Sequence, residues 1–144
     1  MEEIAPSTRR RVLAVLVAAA AVDVTYVVLW LFARTVVASE TRPAYVEFEN
    51  AFPLADTWLL VCVVGSAVGL AQRRPSALLW LLAGAGSGLY LLGIDSLYDV
   101  ENGIWWLRGG AGLIELLINV LTLAFSLGLM RWAWRHRTAL LAGA

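Results

Sequence analysis

Acidic side chains stand inside the apolar segments of this sequence, where an ionised carboxylate is costly. Asp23 lies about halfway along the first apolar segment, and Asp95 lies near the end of the third. A charged side chain near the centre of a bilayer costs at least roughly 2.5 to 3.5 kcal/mol on insertion scales. Such residues are therefore expected either to pair with another polar group or to have a function in the membrane. The chemistry open to them is proton exchange, general acid catalysis or the binding of a cation.

The fourth apolar segment carries a longer polar pattern. Glu115, Asn119, Thr122 and Ser126 recur at the spacing of one face of an α-helix, so we expect them to face other helices or water. We predict that Asp23, Asp95, Glu115 and Asn119 converge on one polar pocket in the outer half of the protein. This pocket would be open to the outside and ringed by Tyr26, Tyr90 and Trp30. The predicted ligand-binding residues are Asp23, Tyr26, Asp95, Glu115 and Asn119.

A purely structural explanation of these residues stays open. Hydrogen bonds between helices, worth around 1 kcal/mol each, would account for the polar stripe. Asp56 and Asp95 would then pair with Arg34 or Arg108 near the outer surface. Asp56 also follows Pro53 in the first turn of a predicted helix, where the helix dipole alone favours an acid.

Composition predicts the elements that position these side chains. The chain has 144 residues, of which 60% are hydrophobic and 15% charged, and its mean hydropathy is +0.74. A soluble domain of this length needs more charge to cover its surface. Because backbone amides in lipid must find partners within their own segment, we predict an all-α membrane protein, a four-transmembrane-helix bundle forming a single domain over residues 1–144. Four apolar runs near the roughly 20 residues needed to cross hydrocarbon lie at about 12–32, 54–71, 77–97 and 111–130.

The charges predict an orientation. Most arginines precede the first run, separate the second from the third, or follow the fourth, whereas the other two connections are acidic and include Asp99 and Glu101. By the positive-inside rule, both the N and the C terminus are cytoplasmic, and we expect a multi-pass protein of the cytoplasmic (plasma) membrane. Tryptophans support this frame, with Trp58 predicted at the outer boundary and Trp80 at the inner one. The apolar run continues to Phe32, which favours an uncleaved anchor over a cleaved signal peptide.

The connections carry further predictions. The five residues 72–76 are so few that the second and third helices must be antiparallel neighbours. In the first outer connection, Tyr45, Phe48 and Phe52 share one face of a helix, which predicts a short interfacial helix on the outer surface. Small residues allow close helix contact in lipid, so we expect the motifs at 65–69 and 84–88, each Gly-x-x-x-Gly, to pack together.

Three functions fit these features. The first is a protein that binds or transports a cationic or amphipathic small molecule; in outline it resembles the small multidrug resistance transporters, with Asp23 where those carry a glutamate, although the surrounding residues differ. The second is a membrane enzyme that performs acid/base chemistry on a lipid. Here the helix count and intramembrane acids are similar to those of the sterol-isomerase and sigma-2-receptor group, without a shared motif. The third is a structural or accessory subunit of a membrane complex.

The remaining residue types narrow the chemistry without deciding whether the chain is an enzyme. Cys62 is the only cysteine, which excludes an internal disulfide and a cysteine-rich metal site. His136 lies in a basic run, where lipid headgroups would solvate it. We therefore predict no metal, no cofactor and no nucleic acid partner. The expected partners are the lipid bilayer, the small ligand, and either a second copy of the chain or another membrane protein.

Overall fold

The computed structural model describes residues 4–143, so residues 1–3 and 144 of the predicted domain lie outside the described part. Within that part the regular structure is helical. The helices are α1 (Pro6–Phe32), α2 (Pro43–Glu49), α3 (Phe52–Ala71), α4 (Ser76–Asn102), α5 (Ala111–Arg135) and α6 (Arg137–Leu141), with short 3-10 turns in the connections. The four long helices, α1, α3, α4 and α5, are each long and apolar enough to cross a membrane.

Proline and glycine set several helix boundaries. Pro6, Pro43 and Pro53 occupy the first turns of α1, α2 and α3, where a missing backbone N–H costs nothing. Gly103 ends α4 in the left-handed conformation, at a φ of 72°, and its N–H donates to the carbonyl of Asp99. The helix therefore continues past the predicted span and includes Asp99. The prediction that Asp99 lies in a connection is wrong.

The long helices pack in the order α1, α3, α4, α5, and neighbours run antiparallel. We call the end that holds the start of α1 and the α3–α4 turn the basic end, and the opposite end the acidic end. An apolar core fills the basic half and includes Leu16 of α1, Leu70 of α3, Leu81 of α4 and Leu129 of α5, all buried. A smaller cluster of Trp30, Tyr45 and Ile104 closes the acidic end.

The glycines of α3 and α4 allow these two helices to touch. A Cβ built on Gly65 or Gly69 would meet atoms of α4 at 2.7 and 2.9 Å, and one built on Gly84 would meet α3 at 3.2 Å. The expected contact between the two motifs is therefore present for these three residues. Gly88 faces α5 instead, where an added Cβ would collide with the hydroxyl of Ser126.

Trp58 and Trp80 do not mark opposite membrane boundaries. Their ring centroids lie 6.5 Å apart, and the Trp58 Nε1–H donates to Ser87 Oγ at 3.1 Å. Because α3 and α4 are antiparallel neighbours, side chains leaving from different depths of the two helices can meet between them. The prediction from backbone position alone was wrong for this pair.

The aromatic residues of the first outer connection pack onto the bundle. Tyr45 is 1% exposed, and the Phe48 ring stacks on Tyr98 of α4 with centroids 3.9 Å apart. The chain turns after α2, so Phe52 begins α3 rather than continuing the short helix. A short helix thus exists as predicted, but its aromatic face contacts protein.

The turn between α3 and α4 holds a strained residue. Arg73 has a φ of 53°, and the next N–H, of Arg74, donates to the Gly69 carbonyl at 2.8 Å, which is the pattern of a left-handed helix cap. Since a Cβ in this conformation costs roughly 1–2 kcal/mol, Arg73→Gly is expected to raise the free energy of unfolding by about 1 kcal/mol in detergent. Arg73→Ala removes the same charge and keeps the Cβ, so an equal gain in both variants would contradict a backbone origin.

Candidate functional site

Three carboxylates from two helices meet at the acidic end of the bundle. Asp95 and Asp99 lie one turn apart on α4, and Glu115 lies in the second turn of α5. One ligand oxygen of each lies within 4.8 Å of the other two. We call these three residues the acidic cluster. Like charges at this separation repel unless a proton or a cation is shared among them.

Asp99 is the buried member of the cluster and is held by two donors. It is 2% exposed, and its Oδ2 accepts from Trp105 Nε1 at 2.8 Å and from Asn119 Nδ2 at 2.9 Å. Both donors reach the same oxygen, so Oδ1 has no hydrogen-bond donor among the described residues. The two donors therefore fix the orientation of the carboxylate through one of its oxygens.

The connection between α1 and α2 covers Glu115. The Ser39 hydroxyl and the Tyr45 hydroxyl, at 3.3 Å, both donate to Glu115 Oε1. The Ser39 backbone N–H in turn donates to the Tyr45 hydroxyl at 3.2 Å. The cluster is therefore completed by residues that lie some 70 positions earlier in the chain. This connection also brings two neutral oxygen atoms next to the carboxylates.

A hydrogen bond near the cluster joins α1 to the end of α2. The Tyr26 hydroxyl donates to Glu49 Oε2 at 2.9 Å, and Glu49 is 7% exposed. Glu49 is close enough to Glu115 and Asp99 for their charges to repel. Tyr26 thus contacts the surroundings of the cluster through Glu49 and does not itself touch the cluster's carboxylates.

The arginines near this end are engaged elsewhere. Arg34 donates to Asn50 Oδ1 at 3.1 Å and stacks over the Trp30 ring at 4.8 Å. Arg42 forms an exposed ion pair with Glu40, which raises the pKa of the Arg42 guanidinium by hydrogen bonding. That pair is the only salt bridge between residues 4 and 143. The expected pairing of Asp56 or Asp95 with Arg34 or Arg108 is therefore not seen.

The structure brings together some predicted site residues and separates others. Asp95, Glu115 and Asn119 meet around Asp99, as described above. Asp23 lies outside the cluster: it is half-buried, it is close enough to Asp56 for their charges to interact, and its Oδ2 has no partner among the described residues. Tyr90 is 69% exposed and does not ring a pocket.

Sequence reasoning missed the most buried acid. Asp99 follows Asp95 by four residues, which places both carboxylates on one helix face, and this spacing could have identified it. The apolar run ends near Leu97, so hydropathy alone places Asp99 in a connection. Ser39 and Trp105 carried no comparable signal, since their contacts depend on how the connections fold back.

Comparison of the chain with protein-family models, with curated proteins and with solved structures finds no match.

Proposed function

We propose that this chain binds a compact cation inside the membrane, at the acidic cluster. The observation that carries the proposal is the approach of three carboxylates to within 4.8 Å, with no arginine paired to any of them in the described part of the chain. Bringing unneutralised carboxylates together inside a bilayer is costly, and a bound cation removes that cost. The cation is an inorganic ion or the charged amine of an amphipathic small molecule.

The donor atoms favour a hard cation. Carboxylate, hydroxyl and amide oxygens are the ligands that Ca²⁺ and Mg²⁺ prefer, and the same oxygens can accept hydrogen bonds from an ammonium group. Ser39 and Tyr45 supply neutral oxygens beside Glu115, and Asn119 orients Asp99. These residues would complete a coordination shell around an ion held by the cluster.

The orientation is part of the proposal. The arginine distribution supports cytoplasmic N and C termini in the cytoplasmic membrane. The acidic cluster then lies in the outer half of the bilayer and is reached from outside, with α2 at the outer surface. The apolar core of the basic half offers a poor path for an ion, so these observations support binding more directly than transport. A transport path would need a second copy of the chain.

The test is cation binding by the purified protein in nanodiscs, measured by isothermal titration with Ca²⁺, Mg²⁺ and dodecyltrimethylammonium in separate experiments. We expect saturable binding of one of these. We expect Asp95→Asn and Glu115→Gln each to weaken it by more than about tenfold, since even substitutions in the surroundings of bound ions cost roughly 10- to 100-fold.

Glu101→Gln is the matched control, because Glu101 is an exposed carboxylate near the same end of α4. Equal losses in Glu101→Gln and Glu115→Gln would show that only surface charge attracts the cation, and the proposal would be wrong. Failure of all three cations to bind would favour the alternatives. Of these, a lipid-directed enzyme has its best support in the neighbouring carboxyls of Asp23 and Asp56.

A further inference from the structure

A groove runs along the lipid-facing surface of α3 and α4 at the basic end, away from the acidic cluster. Its volume is about 480 Å³. Val61, Val64 and Val68 form an apolar wall, and each is nearly half exposed. Arg74 lies where the groove reaches the basic end, and the Trp80 ring lies farther along the groove, over Gly65. In a membrane-spanning bundle this surface faces hydrocarbon, so its occupant must be apolar along most of its length.

The groove has the length of one lipid leaflet. Its α3 wall extends from Leu60 to Gly69, which corresponds to about 14 Å of helix at about 1.5 Å per residue. The hydrocarbon core of a bilayer is about 30 Å thick, so this wall covers roughly half of it. An acyl chain entering from the basic side would follow the groove to the middle of the bilayer.

The mouth of the groove carries positive charge from Arg74. The Arg74 side chain is exposed and forms no hydrogen bond or ion pair with residues 4–143. The stretches 4–16, 66–80 and 127–143, which make up this end, contain no Asp or Glu. They contain Arg9, Arg10, Arg11, Arg73, Arg74, Arg131, Arg135 and Arg137. This positive charge favours the binding of an anionic partner at the depth of the lipid headgroups.

A second copy of the chain fits this groove less well. Close helix pairing in membranes uses glycines that remain open to the partner helix. Here Gly65 is covered by the Trp80 ring, 2.7 Å from an added Cβ, and Gly69 is covered by the backbone of Ala77 at 2.9 Å. Both glycines are already used within the chain. The floor they leave is narrow, apolar and open to lipid.

We infer that this groove binds an anionic phospholipid of the leaflet on the basic side. One acyl chain lies along α3 against Val61, Val64 and Val68, and the phosphate pairs with Arg74. The side chain of Ser76, at the start of α4, also lines the mouth and can donate to a phosphate oxygen. The site is separate from the acidic cluster, so the proposal of lipid binding does not depend on the proposed cation binding.

The test counts lipids that stay bound to the protein in native mass spectrometry from mixed micelles of phosphatidylglycerol and phosphatidylcholine. The expected result is preferential retention of one phosphatidylglycerol. Arg74→Gln is expected to reduce its affinity about fivefold, the effect of one arginine at a charged membrane surface. Val64→Trp is expected to reduce it as well, by filling the groove from an exposed position without disturbing the core.

Two variants serve as matched controls. Arg10→Gln removes an exposed charge at the same end, and Leu79→Trp adds a ring at a position 66% exposed outside the groove. Neither should change lipid retention. Equal losses in Arg10→Gln and Arg74→Gln would overturn the inference in favour of diffuse charge. So would equal retention of the two lipids, displacement of the lipid by inorganic phosphate alone, or a dimer that Val64→Trp disrupts.

Discussion

Asp99→Leu is expected to lower the free energy of unfolding by roughly 1 to 4 kcal/mol. The substitution leaves the buried Asn119 Nδ2 and the partly buried Trp105 Nε1 without the oxygen that now accepts from both. A buried donor without a partner costs about 1–3 kcal/mol. The measurement is equilibrium unfolding of the purified protein in mixed micelles, followed by helical circular dichroism.

Asp99→Asn separates the roles of acceptor and charge. Its side-chain oxygen can still accept from Trp105 and Asn119, while the substitution removes one of three like charges in the acidic cluster. We therefore expect a stability within about 1 kcal/mol of the parent protein or above it, together with weaker cation binding. If Asn and Leu destabilise equally, the hydrogen bonds to Asp99 are not what holds this end together.

Gly112→Ala is expected to destabilise the protein by about 3 kcal/mol and to weaken cation binding at the same time. A Cβ at Gly112 would lie 2.5 Å from the backbone carbonyl oxygens of both Ile104 and Trp105. Backbone atoms cannot rotate away as a side chain can, so the connection before α5 must shift, at the upper end of the usual cost of overpacking. The shift would move the Trp105 indole away from Asp99. Unfolding in micelles and cation titration measure the two effects.

Gly128→Ala is the matched control on the same helix. An added Cβ there has no atom within 4 Å, so we expect a gain of about 0.5–1 kcal/mol from the lower backbone entropy of alanine in the unfolded chain. A loss comparable to that of Gly112→Ala would mean that α5 tolerates no added methyl group. In that case the Gly112 result would say nothing specific about the connection.

Under the proposed cation binding, the acidic cluster destabilises the protein when no cation is bound. Asp95, Asp99 and Glu115 share no arginine, although Arg34 and Arg42 lie on neighbouring connections and use their side chains elsewhere. Replacing Asp95 or Glu115 by its amide should therefore favour folding and oppose cation binding, which is the opposite of what a purely structural role predicts. The two expectations distinguish the proposed function from the structural explanation of the same residues.

The number of long helices and their approximate positions follow from the hydropathy of the individual segments. The preference of a segment for lipid is a sum over its own residues, and backbone hydrogen bonds in lipid must close within the segment, so both can be evaluated without knowing the neighbours. The short link at 72–76 likewise fixed the α3–α4 hairpin. Orientation, the membrane and the ligand remain predictions that rest on charge distribution.

Which acids meet depends on how the helices pack against one another. Glu115 and Ser39 are separated by 76 residues, and their contact depends on the rotation of α5 and on the path of the connection after α1. Asp99 belongs to the cluster because α4 continues past its apolar run to Gly103, while Asp23 lies outside it because α1 packs on α3 rather than on α4. Helix rotation and packing order arise from many weak contacts between residues that are distant in the chain. The hydropathy of a single segment does not encode these contacts.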